Sequence, residues 1–251
     1  MGSRGGGVVS GSWLLPFDAG PPRPVTLLCL APAGAGCGQY RPWQAMAGPE
    51  VSVVGVQLPG RETRWAEPPA TSVHEVVTGV LDELTALLKP DDPLIVFGQS
   101  FGGLLGYEIV RRLGEEHGRR PRALVVAGCR PPHMWVGAGR GLADDDAELA
   151  RLLDVRALDE NDIDEDSREL LLDVLRQDAR LSLTYTHHAA ATPATLEAWG
   201  GQADETVTSG HLDGWRAYAG GGFRKRMFPG GHYFCLERAG DVVAALRRHW
   251  S

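Results

Sequence analysis

Leu94-Ile95-Val96-Phe97-Gly98-Gln99-Ser100-Phe101-Gly102-Gly103 decides the reading of this 251-residue chain. Its first four residues form an uninterrupted apolar run, the character of a strand buried on both faces of a parallel sheet. The glycines beyond them clear room for a sharp turn, and Leu104–Leu113 continues with helical periodicity. A serine between strand and helix, in the pattern G-x-S-x-G, stands where a nucleophile elbow must lie, with its hydroxyl lifted above the sheet. In a chain with 33 glycines the five-letter pattern alone is weak. The strand-turn-helix setting supplies the specificity. The helix N-terminus beyond Ser100 offers backbone N–H groups and a positive dipole end to a developing oxyanion.

The same rhythm extends outward. Val25–Leu30, Val51–Val56 and Leu124–Ala127 read as further buried strands, and Val73–Leu88 carries an apolar helical stripe ended by Lys89-Pro90. Alternating strands and helices predict an α/β fold: a mostly parallel central sheet with right-handed crossovers, flanked by helices. The alternation breaks after Pro131-Pro132, and Leu142 to Tyr185 is helical and strand-free. It resumes with Thr195–Trp199 as a strand, Gly210–Tyr218 as a short helix, Phe223–Phe228 as a strand and Val242–Trp250 as a closing helix. One domain over 1–251 is expected, with a helical insertion at 134–190 placed as a lid.

A serine hydroxyl needs a base to take its proton and a carboxylate to orient that base. Of eight histidines, His74, His117 and His249 fall on predicted helices, while His187, His188 and His211 lie where no strand ends. His232 follows the last predicted core strand through Phe228-Pro229-Gly230-Gly231, on a loop that emerges at the same sheet edge as Ser100. Asp204 follows Thr195–Trp199 at that edge too, which gives the order Ser, Asp, His expected of α/β-hydrolases. Asp213 and Glu205 are the fallbacks. The second oxyanion donor is expected after the first core strand, in Ala31-Pro32-Ala33-Gly34-Ala35-Gly36. Pro32 has no N–H, so Ala33 or Gly34 must supply it. Cys129 also ends a strand, but no base accompanies it in the sequence, and it reads as a buried bystander.

Composition narrows the remaining classes. With 25 Lys+Arg against 32 Asp+Glu the formal charge is −7, which argues against nucleic acid, a partner that wants a concentrated positive field. No apolar run reaches the roughly 18 residues of a membrane span, and no basic segment followed by a long apolar one opens the chain, so a cytoplasmic protein is expected. Four scattered cysteines without a CxxC pair fit neither a disulfide framework nor a zinc site. There is no H-E-x-x-H, no Walker loop and no dinucleotide fingerprint, so neither metal nor cofactor is expected.

Longer motifs point to a family. Tyr40-Arg41-Pro42-Trp43, Gln57-Leu58-Pro59-Gly60-Arg61-Glu62-Thr63-Arg64, Gly98-Gln99-Ser100-Phe101-Gly102-Gly103, Gly128 to Pro132, Gly200-Gly201 with Asp204, and Pro229-Gly230-Gly231-His232-Tyr233-Phe234 recur in order over nearly the whole chain. In these the sequence resembles the type II thioesterases, stand-alone editing hydrolases of polyketide synthases and nonribosomal peptide synthetases, within the α/β-hydrolase superfamily. The resemblance implies Ser100 as nucleophile, His232 as base, Asp204 as its orienter, and the N–H groups of Phe101 and Ala33 as oxyanion hole. It implies an acyl thioester carried on the phosphopantetheine arm of an acyl or peptidyl carrier protein as substrate. Two departures stand out. The first loop lacks the family's usual aromatic-Pro-His/Tyr-Ala-Gly-Gly run, and Gln99 and Phe101 replace its usual His and Met around the nucleophile, so Phe101 is expected to reshape the acyl pocket. A carboxylesterase or lipase, an acyltransferase, or a catalytically silent binding protein on the same fold are the alternatives.

The acid excess is localised. Asp144 to Asp173 holds 13 acidic residues against three arginines, a net of −10 that leaves +3 for the rest. A solvated outer helix face accounts for it. An acidic carrier docked instead on a rim at Arg111-Arg112, Arg119-Arg120 and Arg224-Lys225-Arg226 is the further expectation.

Overall fold

The computed structural model describes residues 11–21, 23–154 and 165–250. Seven strands form one sheet: β1 (Leu14–Pro16), β2 (Val25–Leu30), β3 (Val51–Val56), β4 (Leu94–Gln99), β5 (Ala123–Ala127), β6 (Thr195–Gly201) and β7 (Phe223–Phe228). Their order is β1-β3-β2-β4-β5-β6-β7, with β1 antiparallel to β3 and every other pairing parallel. The helices are α1 (Trp43–Ala47), α2 (Val73–Leu87), α3 (Phe101–His117), α4 (Asp146–Asp154), α5 (Glu165–Leu183), α6 (Ser209–Asp213), α7 (Phe234–Glu237) and α8 (Ala239–Leu246). This is the α/β-hydrolase architecture expected from the sequence.

The pleat explains why β2 and β4 read as continuous apolar runs. Along β4, Leu94 and Val96 enter a core shared with α2 and α3, while Ile95 and Phe97 face a second core beneath α1 and α8. Helix α2 starts where Ser72 accepts the Glu75 N–H at 3.1 Å, and it buries Val73, Val76, Val77, Val80, Leu81 and Leu84. Because β2, β4, β5 and β6 pair parallel to one another, their C-terminal ends meet at one edge. Ligands of open α/β sheets bind in the crevice outside those strand ends.

Several boundaries differ from the sequence reading. Helix α3 begins at Phe101 rather than Leu104, since close packing of Gly102 and Gly103 offsets their poor helix propensity. The span 210–218 divides into α6 and a tighter 3₁₀ turn, Gly214–Tyr218. The closing helix likewise ends at Leu246 and tightens through Arg247–His249. Helices α4 and α5 occupy the block after Leu142, whose positions 155–164 lie outside the described residues. Leu149, Leu175, Ala179 and Leu181 bury themselves in the same core as Leu104 of α3. Among the described residues, no helix is long and apolar enough to cross a membrane.

Candidate active site

Ser100 caps α3 with φ 51° and ψ −119°, a left-handed conformation that is costly for a residue with a side chain. The surroundings enforce it. A Cβ on Gly98 would meet Gly102 O at 2.1 Å, and one on Gly102 would meet Leu30 O at 2.4 Å, so the elbow folds tightly only with glycine at both places. The Ser100 N–H donates to Ala127 O at 2.8 Å, tying the turn to the end of β5. Ser100 is half-buried and faces a cleft of about 100 Å³ whose walls include Ala33, Trp135, Leu175 and His232.

His232 arrives on the loop after β7. That loop runs against the end of β6, with Gln202 N–H donating to Phe228 O at 2.8 Å and Ala203 N–H to Gly230 O at 2.9 Å. The contact carries Asp204 to His232, and His232 Nδ1 lies 2.7 Å from Asp204 Oδ2. The other carboxylate oxygen accepts Thr206 N–H at 2.8 Å, Thr206 Oγ1–H at 2.7 Å and Val207 N–H at 3.0 Å. Burial of this side chain would raise its pKa, but the hydrogen bond and charge of His232, with the Thr206 and Val207 donors, hold it below the ordinary aspartate value. A carboxylate committed to these donors requires His232 Nδ1 to carry a proton, which leaves Nε2 free to accept one. The structure records no direct Ser100–His232 hydrogen bond among the described residues; in unliganded sites such bonds are commonly long.

The fallback carboxylates stay away. Asp213 pairs with Lys225 at 2.7 Å on the surface, and Glu205 is exposed. Cys129 is buried, and burial pushes its thiol well above the ordinary value, so it is no ready nucleophile. Phe101 does not line the cleft. It stacks beneath Trp135, ring centroids 6.0 Å apart, and Trp135 forms the wall instead. In the first loop, Ala33 lines the cleft, whereas the Gly34 N–H donates to Asp178 Oδ2 at 2.6 Å. Of the two candidates, then, Gly34 is already committed and Ala33 faces Ser100's cleft.

Sequence reasoning passed over three contributors. Thr206 touches both members of the dyad, its Oγ1 lying 3.1 Å from His232 Nδ1. The spacing Asp204-x-Thr206 is an Asx-turn pattern that could have revealed it. Gln99 is wholly buried and donates to His232 O at 3.1 Å, so the residue beside the nucleophile also fixes the histidine loop. The third contributor, Asp178, lies in a charged helix and reads as a surface residue. Much of the expected basic rim is already paired: Arg111 with Glu108 and Glu115, and Arg112 with Glu116. Arg119 is buried on Leu88 O and Asp92 O. Arg120 is exposed, and Arg224, Lys225 and Arg226 line an exposed edge on β7, with Lys225 paired to Asp213. Among the described residues, no group of three or more His, Cys, Asp or Glu is placed to hold a metal ion.

A strained serine on the turn after β4, at the mouth of a cleft it shares with a carboxylate-bound histidine, defines a hydrolase of the α/β class. Residues 25–250 match the family model described as Thioesterase domain, and the chain belongs to the thioesterase family. It is 36% identical over 240 residues to the AMB antimetabolite synthetase AmbE of Pseudomonas aeruginosa, covering 94% of this chain but only 11% of that longer protein. It is 30% identical to Thioesterase PikA5 of Streptomyces venezuelae, over 96% of this chain and 86% of that one. The solved structure of the type II thioesterase BorB from the borrelidin biosynthetic cluster superposes with a TM-score of 0.83 at 27% identity, covering 95% of this chain and 98% of that one. The protein is thus a thioesterase-family hydrolase.

Proposed function

We propose that this enzyme hydrolyses acyl groups from the phosphopantetheine arm of acyl or peptidyl carrier proteins, clearing aberrant or stalled chains during polyketide or nonribosomal peptide assembly. The observation that carries the reading is the His232–Asp204 contact at 2.7 Å beside a strained Ser100 in one cleft. Ser100 Oγ attacks the thioester carbonyl while His232 Nε2 takes its proton. The developing oxyanion is met by the N–H groups of Phe101 and Ala33. Collapse breaks the C–S bond, and His232 gives its proton to the leaving thiol. Water, deprotonated by His232, then attacks the acyl-serine and releases the free acid, Ser100 recovering its proton. Asp204 keeps the imidazole in the working tautomer throughout, and Thr206 holds both.

The stretch 134–190 acts in this reading as the lid. Ligand sites usually enclose about 300–1,000 Å³, against about 100 Å³ here, and Trp135 and Leu175 are among the walls that an acyl chain would meet. The test compares acyl-pantetheine thioesters with matched oxygen esters, with and without alcohol or amine acceptors. Preferential thioester hydrolysis to free acid, abolished by Ser100→Ala, is expected. Faster cleavage of oxygen esters, or transfer to the acceptor, would overturn the assignment.

A further inference from the structure

Arg61 and Asp178 are charged side chains buried to 6% and 1% exposure, and they meet two-pronged: Nη1 to Oδ2 and Nη2 to Oδ1, each at 2.6 Å. The same Oδ2 accepts the Gly34 N–H at 2.6 Å, and Arg61 Nη1 donates again to Ala35 O at 3.1 Å. Three distant stretches therefore converge on one carboxylate: α5, the loop after β3, and the turn after β2. That turn is closed by Ala35 N–H donating to Pro32 O at 3.1 Å, with Gly34 at φ +72° as a type II turn requires of its third residue. Ala33, its second residue, is the one that lines the cleft with Ser100.

Stability does not account for such a pair. Removing both charges from water costs about as much as their attraction returns, and well-packed apolar residues are often as stable or more so. What apolar residues cannot do is accept the Gly34 N–H and grip the Ala35 carbonyl. We propose that Arg61 and Asp178 are positioning residues that hold the Pro32–Ala35 turn in the shape that presents the Ala33 N–H to the oxyanion. Because Asp178 belongs to α5, that helix is part of the support on which the hole depends. The inference rests on the reading of Ala33 as an oxyanion donor given above.

The test uses short p-nitrophenyl esters, which need the site but no carrier protein, and the double variant Arg61→Met/Asp178→Leu. The expected result is a melting temperature equal to or above that of the parent, with kcat lowered about tenfold or more and KM little changed. Outright loss of an oxyanion donor costs about 10²–10³-fold. Affinity for a boronic acid that forms a tetrahedral adduct on Ser100 falls in parallel, while affinity for a non-hydrolysable acyl-pantetheine thioether holds. Arg61→Lys, which keeps the charge and the Asp178–Gly34 bond but lacks the planar fork, gives a smaller kcat loss in the same direction and serves if the double variant does not fold. Unchanged kcat in a folded variant, or equal losses for boronate and thioether, would overturn the proposal. A parent enzyme that cleaves the esters but no carrier thioester would refute the function proposed above and leave this inference standing.

Discussion

Asp204→Asn isolates the role of the carboxylate with almost no change in shape. In the parent, Oδ1 accepts three donors from Thr206 and Val207, and Oδ2 accepts His232 Nδ1 at 2.7 Å. Asparagine keeps one oxygen, and the three donors on Oδ1 claim it. Its NH₂ then faces Nδ1, two donors opposed, and the imidazole relieves the conflict by moving its proton to Nε2. A base protonated on Nε2 cannot take the Ser100 proton. The expected loss in kcat is about 10⁴-fold, the size of a wrong-tautomer defect in a Ser-His-Asp site, which corresponds to roughly 5.4 kcal/mol of transition-state stabilisation. Steady-state hydrolysis of an acyl-pantetheine thioester reads the effect, with Asp213→Asn as a control that leaves the rate unchanged. A kcat within tenfold of the parent would refute the assignment of Asp204 and the tautomer reasoning with it.

Three further outcomes follow from the same geometry. Gly102→Ala places a Cβ 2.4 Å from Leu30 O, backbone that cannot step aside, and is expected to lower stability by about 1–3 kcal/mol, read as a drop in melting temperature of several degrees. Thr206→Val removes one donor from Asp204 and the contact to His232 Nδ1, and is expected to lower kcat by about tenfold with KM nearly constant; an unchanged kcat would show that Asp204 needs no help. Because the folded pKa of Asp204 lies below its unfolded value of about 3.9, its stabilising contribution is fully present above that value and is lost as pH falls through the lower folded one. The melting-temperature gap between the parent and Asp204→Asn is therefore expected to be widest near pH 7 and to close below about pH 4, and a gap independent of pH would count against the ionised, hydrogen-bonded carboxylate.

The legible parts of this protein were those written locally. Strands such as Val25–Leu30 and Val51–Val56 are apolar on both faces, and Ser100, Asp204 and His232 each follow a strand end, so chain order and strand polarity bring them to one edge. Other features depend on contacts that no local pattern encodes. Strand β1 has three residues, ends in Pro16 and exists through its antiparallel pairing with Val54–Val56. Arg61 and Asp178 are 117 positions apart in the chain, and each alone resembles any solvated charge. The choice between Ala33 and Gly34 was open for the same reason, because it turns on which N–H the distant Asp178 takes. Phe101 looked like a pocket residue from its place next to the nucleophile, but only the fold shows Trp135 lying over it.

In the proposed reaction Ser100 takes an acyl group from a carrier-bound thioester and yields it to water. Intact-protein mass spectrometry of acyl-loaded carrier proteins mixed with the enzyme tests it directly, since it weighs both partners at once. Each accepted carrier is expected to fall to the mass of its free phosphopantetheine form, a transient acyl mass is expected on the enzyme and, after digestion, on the peptide bearing Ser100, and Ser100→Ala is expected to abolish both changes. Carriers that keep their acyl groups, or lose them equally to the Ser100→Ala variant, would contradict it.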